Sequence, residues 1–205
     1  MFLTIMVIGS CQDKKPQRAL IETELGNITI ELFDATPLHR DNFIKLVNEK
    51  YYDGTLFHRA IKDFMIQGGD PDSKTASPDQ ILGMGGPPYT IPAEIAAPHF
   101  KGALAAGNDG NPQKASSGSQ FYIVTGTPQN GITLTSFERQ KGIKYNKVQF
   151  DKYLEVGGAP QLDQDYTVFG RVISGMEVVD KISALQTAEY DRPVKDLKMT
   201  IKLIK

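Results

Sequence analysis

Arg59 stands in the run LFHRAIKDFMIQGGDP, Leu56 to Pro71, where most of its neighbours are Leu, Phe, Ala, Ile and Met. A guanidinium among apolar residues is costly unless it is paired or put to use. One reading is an arginine at a strand end, its stem packed and its head in water. The other is a permanent cation with a rigid fork of N–H donors, held at the wall of an apolar pocket, with Gln67 beside it as a second polar group.

Other chemistries find less support. His39, His58 and His99 show no ligand spacing with one another or with Cys11, so no metal site is expected. The glycines of GMGGPPY precede two prolines where a phosphate-binding helix would have to begin, which makes that stretch a loop. Ser119 in SSGSQF lacks the second flanking glycine of a nucleophile elbow. Asp70 and Asp72 sit in a Gly/Pro loop and read as solvated. Hydrolase and metalloenzyme readings both fail on these residues.

The elements that must position Arg59 are short. ALIETELGNITIELF alternates in both halves around Gly26-Asn27, which predicts a β-hairpin. In ATPLHRDNFIKLVNEKYYDG, Thr36 can cap a helix, Pro37 fits its first position, Phe43, Leu46 and Val47 share a face, and Gly54 lies just past the end. TLFHRAI, FMIQGGD, ALAAG, SQFYIVTG, YTVFGRVIS and LKMTIKLIK are strand-like, and a further helix is predicted over Met176 to Ala184. Many short strands with few helices point to an antiparallel sandwich or closed barrel. Residues from about 133 to 155 are richer in charge and helix formers and read as one or two helices inserted between strands.

The chain of 205 residues suits one domain with its own core. Lys and Arg number 23 against 24 Asp and Glu, a formal net charge of -1 with no long basic run, so a nucleic-acid groove has no electrostatic support. Cys11 is the only cysteine, which excludes an internal disulfide.

FHRAIKDFMIQGGDP, GSQFYI and YTVFGRVISGMEVVDKI, in that order and spacing, resemble the cyclophilin-type peptidyl-prolyl cis-trans isomerases. The resemblance covers nearly everything from Ala19 to Lys205 except the insertion. It implies a mainly β fold, a closed eight-stranded antiparallel β-barrel capped by two helices. It also implies an enzyme that accelerates rotation about X–Pro bonds and needs no cofactor or metal. Arg59 matches the family's catalytic arginine and Gln67 the glutamine that binds substrate backbone and helps orient it. Phe64, Met65, Tyr122 and Leu162 fall where the family builds its proline slot, with Tyr166 at the rim. Ala105, Ala106 and Gly107 match its backbone-binding strand and Gln120 its second glutamine. Gln161 stands where many members carry a tryptophan that helps bind cyclosporin, so weak inhibition by that drug is expected. The rival reading is a non-catalytic module that grips proline-containing segments; the presence of both Arg59 and Gln67 favours catalysis.

The N-terminal MFLTIMVIGSC is apolar, too short to span a bilayer, and like the hydrophobic part of an export signal. Ile8-Gly9-Ser10-Cys11 resembles the lipobox of bacterial lipoproteins, in which the cysteine is lipidated. Residues 1–18 therefore read as signal and polar tether, and 19–205 as the isomerase domain. The expected protein is an exported monomer, lipid-anchored at Cys11 in the bacterial envelope on its periplasmic or surface face, with proline-containing polypeptides as substrates.

Overall fold

The hairpin forms where the alternation places it. In the computed structural model, which describes residues 16–205, β1 (Arg18–Thr23) pairs antiparallel with β2 (Gly26–Leu32). Ala19, Ile21, Ile28 and Ile30 are fully buried, as period-two alternation requires of one face. Cys11 and the signal-like segment lie outside the described residues.

Helix α1 (Pro37–Asn48) buries Phe43, Leu46 and Val47. Thr36 makes no capping bond; instead the Glu94 carboxylate accepts from the backbone N–H of Leu38 at 3.1 Å and His39 at 3.0 Å. An anion there satisfies orphan donors and complements the helix dipole. Gly54 does not end the helix, which closes at Glu49, with Lys50 taking the left-handed position at φ 55°.

The remaining strands are β3 (Phe57–Ile61), β4 (Met65–Gly68), β5 (Thr90–Ile91), β6 (Ala103–Ala106), β7 (Ser116–Ser117), β8 (Phe121–Val124), β9 (Val168–Ser174) and β10 (Met199–Ile204). Eight of the ten form one curled antiparallel sheet in the order β10-β1-β2-β9-β6-β8-β4-β3, while β5 and β7 pair separately. Its edges meet only briefly. Met199 N–H donates to the Thr55 carbonyl at 2.9 Å and Phe57 N–H to the Leu197 carbonyl at 3.0 Å, around an isolated bridge between Leu56 and Lys198. Beyond Phe57 the flank of β3 is taken by a 3-10 turn, Glu189–Asp191, so the barrel is less completely closed than expected.

Strands β6 and β8 are buried at every residue. Leu104, Phe121 and Ile123 face the barrel core with Ile66, while Ala103, Ala105, Tyr122 and Val124 face a second apolar layer with Met65. That double burial explains why these strands read as unbroken apolar runs. Helix α4 (Met176–Ser183) adds Val178, Val179 and Ile182 to the barrel core, which α1 shares.

Between β8 and β9 lie α2 (Gly131–Lys141) and α3 (Lys147–Glu155). Asn130 caps the first through the Thr133 N–H at 2.8 Å, Gly142 ends it at φ 64°, and Asn146 with Gln149 forms a capping box on the second. The pair carries a small core of its own, Leu134, Tyr145 and Tyr153, against Phe100.

Candidate functional site

A β-bulge sets Arg59 in place. Phe57 pairs with Gly68, but Arg59, not His58, pairs with Gln67, so the register slips by one residue at His58. Without the slip Arg59 would share the inward side with Phe57. With it, Phe57 and Ala60 both enter the core and Arg59 turns outward beside Gln67. The Arg59 side chain is 41% exposed and lines a cavity.

That cavity, of about 200 Å³, brings together Arg59, Phe64, Met65, Gln67, Gly107, Tyr122, Leu162 and Tyr166, all anticipated, with Asn108. The aromatic wall is ordered: the Tyr122 and Tyr166 rings meet edge to face with centroids 5.8 Å apart. Gln120 is buried beside it, accepting from the Gln67 side-chain amide at 2.9 Å and donating to the Gly85 carbonyl at 2.8 Å. Ala105 and Ala106 do not line the cavity. Their side chains are buried in the sheet and the Ala106 N–H donates to Thr167. The chain reaches the cavity only as it leaves the ladder at Gly107 and Asn108. Asn108 also borders an adjoining cavity of about 350 Å³ shared with Gln67 and Gln120.

Gln67 makes no bond to Arg59; it is committed to Gln120. The partner of Arg59 is Asp191, whose carboxylate accepts from Nε at 3.1 Å. Asp191 and Tyr190 both adopt left-handed backbone, φ 58° and 59°. Arg192, nearly buried, pins that turn by donating to the carbonyls of Ser77, Pro78 and Gln80 and to the Asp196 carboxylate. With Nε occupied, the terminal nitrogens of Arg59 remain for a ligand.

Behind the slot runs a buried hydrogen-bond chain. The Tyr122 hydroxyl lies 2.9 Å from His99 Nε2, and His99 Nδ1 lies 2.8 Å from Asp163 Oδ1. Asp163 Oδ2 accepts from the hydroxyls of Tyr145 and Tyr153, each at 2.6 Å. For a neutral imidazole this puts the proton on Nδ1, leaving Nε2 to accept from Tyr122. Burial pushes the Tyr122, Tyr145 and Tyr153 hydroxyls well above the ordinary tyrosine range, with the Asp163 charge adding to each shift. The helix pair between β8 and β9 thus reaches the slot wall through two tyrosines and one aspartate.

One residue departs from expectation nearby, and a buried ring lies close to it. Asp70 is not solvated; it is fully buried and accepts from the N–H groups of Asp72, Gly83 and Gly85, organising the loop beside the site. His58, 3% exposed, finds no hydrogen bond of ordinary geometry for either ring nitrogen. Burial first, with Arg59 and Arg192 nearby, pushes its pKa down to about 4 against a partial pull from Asp70.

Sequence reasoning missed Asp191, Asn108 and the buried chain. Asp191 is 132 positions from Arg59 and carries no local signal beyond a turn-forming neighbourhood. Asn108 directly follows the anticipated Gly107 and was within reach of that reading.

The curled eight-stranded sheet, with an arginine beside an apolar slot on its outer face, has counterparts of known class. The family model described as cyclophilin type peptidyl-prolyl cis-trans isomerase/CLD matches residues 18–202. This chain belongs to that family, the cyclophilin-type peptidyl-prolyl cis-trans isomerases. A protein of Staphylococcus aureus strain COL, named for peptidyl-prolyl cis-trans isomerase activity, is 35% identical over 184 residues, covering 88% of this chain and 87% of its own. A Staphylococcus saprophyticus protein of the same name is 32% identical over 181 residues, with the same coverage of both. Among solved structures, a cyclophilin-type isomerase of Cryptosporidium parvum superposes with TM-score 0.70 at 25% identity, covering 93% of this chain and 99% of that one. The same protein in the presence of the dipeptide Ala-Pro gives TM-score 0.68 at 25% identity, covering 92% and 99%.

Proposed function

We propose that this isomerase works by seating the ring of a substrate proline among Phe64, Met65, Tyr122 and Leu162 while Arg59 directs N–H donors at the prolyl nitrogen. The X–Pro bond is held planar by amide resonance, with a barrier of ~18–20 kcal/mol and crossing times of tens to hundreds of seconds. Bringing that to milliseconds requires roughly 10⁴–10⁵-fold, about 5.5–7 kcal/mol of stabilisation confined to the twisted state. A donor to the nitrogen lone pair is selective in that way, because the lone pair is free to accept only once the bond has twisted out of conjugation. Gln67 and Gln120 hold the substrate backbone, and Asn108 and Gly107 border its path.

The observation that carries this reading is Arg59 fixed through Nε by Asp191 at the edge of the slot. Its test is the isomerisation rate of an Ala-Pro peptide by NMR exchange, without a coupled protease. Arg59→Ala is expected to lower kcat/KM by about 10²–10³-fold, the scale of removing one transition-state donor. Asp191→Ala should cost less, about 5–20-fold, because the donor survives but is no longer aimed. Binding without acceleration by the wild-type protein would establish the proline-gripping module instead.

We further propose that the protein acts on exported polypeptides, anchored by lipid at Cys11. The apolar MFLTIMVIG and the Ile8-Gly9-Ser10-Cys11 tetrad support this. Mass spectrometry of the native protein is expected to show a diacylated or triacylated cysteine as the first residue; an unmodified N-terminus ahead of Cys11 would overturn the anchor.

A further inference from the structure

A cavity of about 370 Å³ shares Arg59 and Gln67 with the proline slot and is otherwise lined by different parts of the chain. Its walls are the stretches Pro78–Gly83 and Ala188–Tyr190 with Arg192, and His58 borders it as well. Four charged side chains border it, and they are not equivalent. Arg59 is bound to Asp191 at 3.1 Å and Arg192 to Asp196 at 2.9 Å, so both cations already have counter-ions. Asp79 and Glu189 have no hydrogen-bond or ion-pair partner among the described residues. The cavity therefore presents two uncompensated carboxylates.

His58 gives a second and independent sign of a missing ligand. A buried imidazole whose ring nitrogens make no hydrogen bond of ordinary geometry forfeits hydrogen bonds it would have in water. Its Nε2 lies 3.5 Å from where a side chain on Gly83 would begin. Gly83, at φ 99°, has no such side chain, and both Gly83 and His58 border the cavity. Tyr190, 66% exposed, and Ile81, 58% exposed, stand at the rim, where they offer aromatic and aliphatic surface to a long stem.

We propose that this cavity is a subsite for a lysine or arginine side chain of the substrate polypeptide, carried within about three residues of the proline. The stem lies along Tyr190 and Ile81, the cationic head meets Asp79 and Glu189, and His58 supplies a hydrogen-bond partner. The reach is set by the shared residues: an extended chain advances ~3.3–3.6 Å per residue, so a peptide crossing Arg59 from the slot enters this cavity within a few residues. The subsite rests on the isomerase reading, since it is the seated proline that brings the basic residue to it.

The test uses the full chain and peptides with a constant Ala-Pro core, each carrying a single Lys, Ala or Glu at one of the three positions on either side. At one position Lys is expected to raise kcat/KM about 3–10-fold over Ala, with Glu below Ala, as partly exposed ion pairs allow. The Lys-to-Ala ratio should shrink with added salt and approach one in Asp79→Asn/Glu189→Gln. Equal rates for the three peptides at every position, or a lysine preference that survives in the double variant, would overturn the subsite. Were the Ala peptide not accelerated at all, the catalytic reading would fall. The subsite would then be judged by titration: Lys peptides, but not Glu peptides, should shift the amide resonances of Gly83 and Tyr190.

Discussion

His58 shows how one residue can serve placement and carry a cost. As the extra residue of the bulge it turns Arg59 outward, and the same slip leaves its own ring buried between strand and loop. Its pKa is pushed from 6.5 down to about 4, so the folded protein holds the ring neutral while the unfolded chain takes up a proton. The sign follows: the contribution is complete above about pH 6.5 and is lost as pH falls towards 4. The linkage amounts to about 3 kcal/mol. Urea unfolding at pH 7 and pH 4 should therefore show a larger loss in the wild-type protein than in His58→Gln. An NMR titration of the ring should give a midpoint well below 6; a midpoint near 6.5 would refute the account.

At the scale of elements, the helix pair α2 and α3 is more than an appendage, because its tyrosines complete the ligation of Asp163 behind the slot. Removing both hydroxyls leaves a buried carboxylate short of donors, and hydrogen bonds to charged groups contribute about 1.5–3 kcal/mol each. Tyr145→Phe/Tyr153→Phe is thus expected to lose several kcal/mol in urea unfolding. It should also raise KM for Ala-Pro peptides a few-fold as His99 and Tyr122 loosen, with kcat less affected. Unchanged KM would mean that the pair braces the fold without reaching the slot. None of this was legible in the sequence beyond the existence of the helices. Phe64, Met65 and Gln67 could be read because they lie in one short block with Arg59. Asp163, His99 and Tyr153 are joined only by the fold. Ala105 and Ala106 were placed at the site because a strand read as a line of letters does not show which of its backbone groups the neighbouring strands have already taken. Asp70 read as solvated for a related reason, since nothing local announces that distant glycine amides will enclose it.

Over the whole molecule, what was legible was the class of architecture. Alternation in β1 and β2 and the apolar runs of β6 and β8 specify strands, and the helix of α4 follows from its spaced Val178, Val179 and Ile182. How the curled sheet meets itself was not legible, because closure rests on the Leu56–Lys198 bridge and on a turn that occupies the flank of β3. The sheet order holds one more consequence. The first strand, β1, lies between β2 and β10, with Arg18 paired to Ile204. During synthesis β1 must wait with one edge unsatisfied until the last strand is delivered. Such a long-range pairing makes folding slow relative to a meander of local hairpins and leaves an open edge exposed to other chains meanwhile.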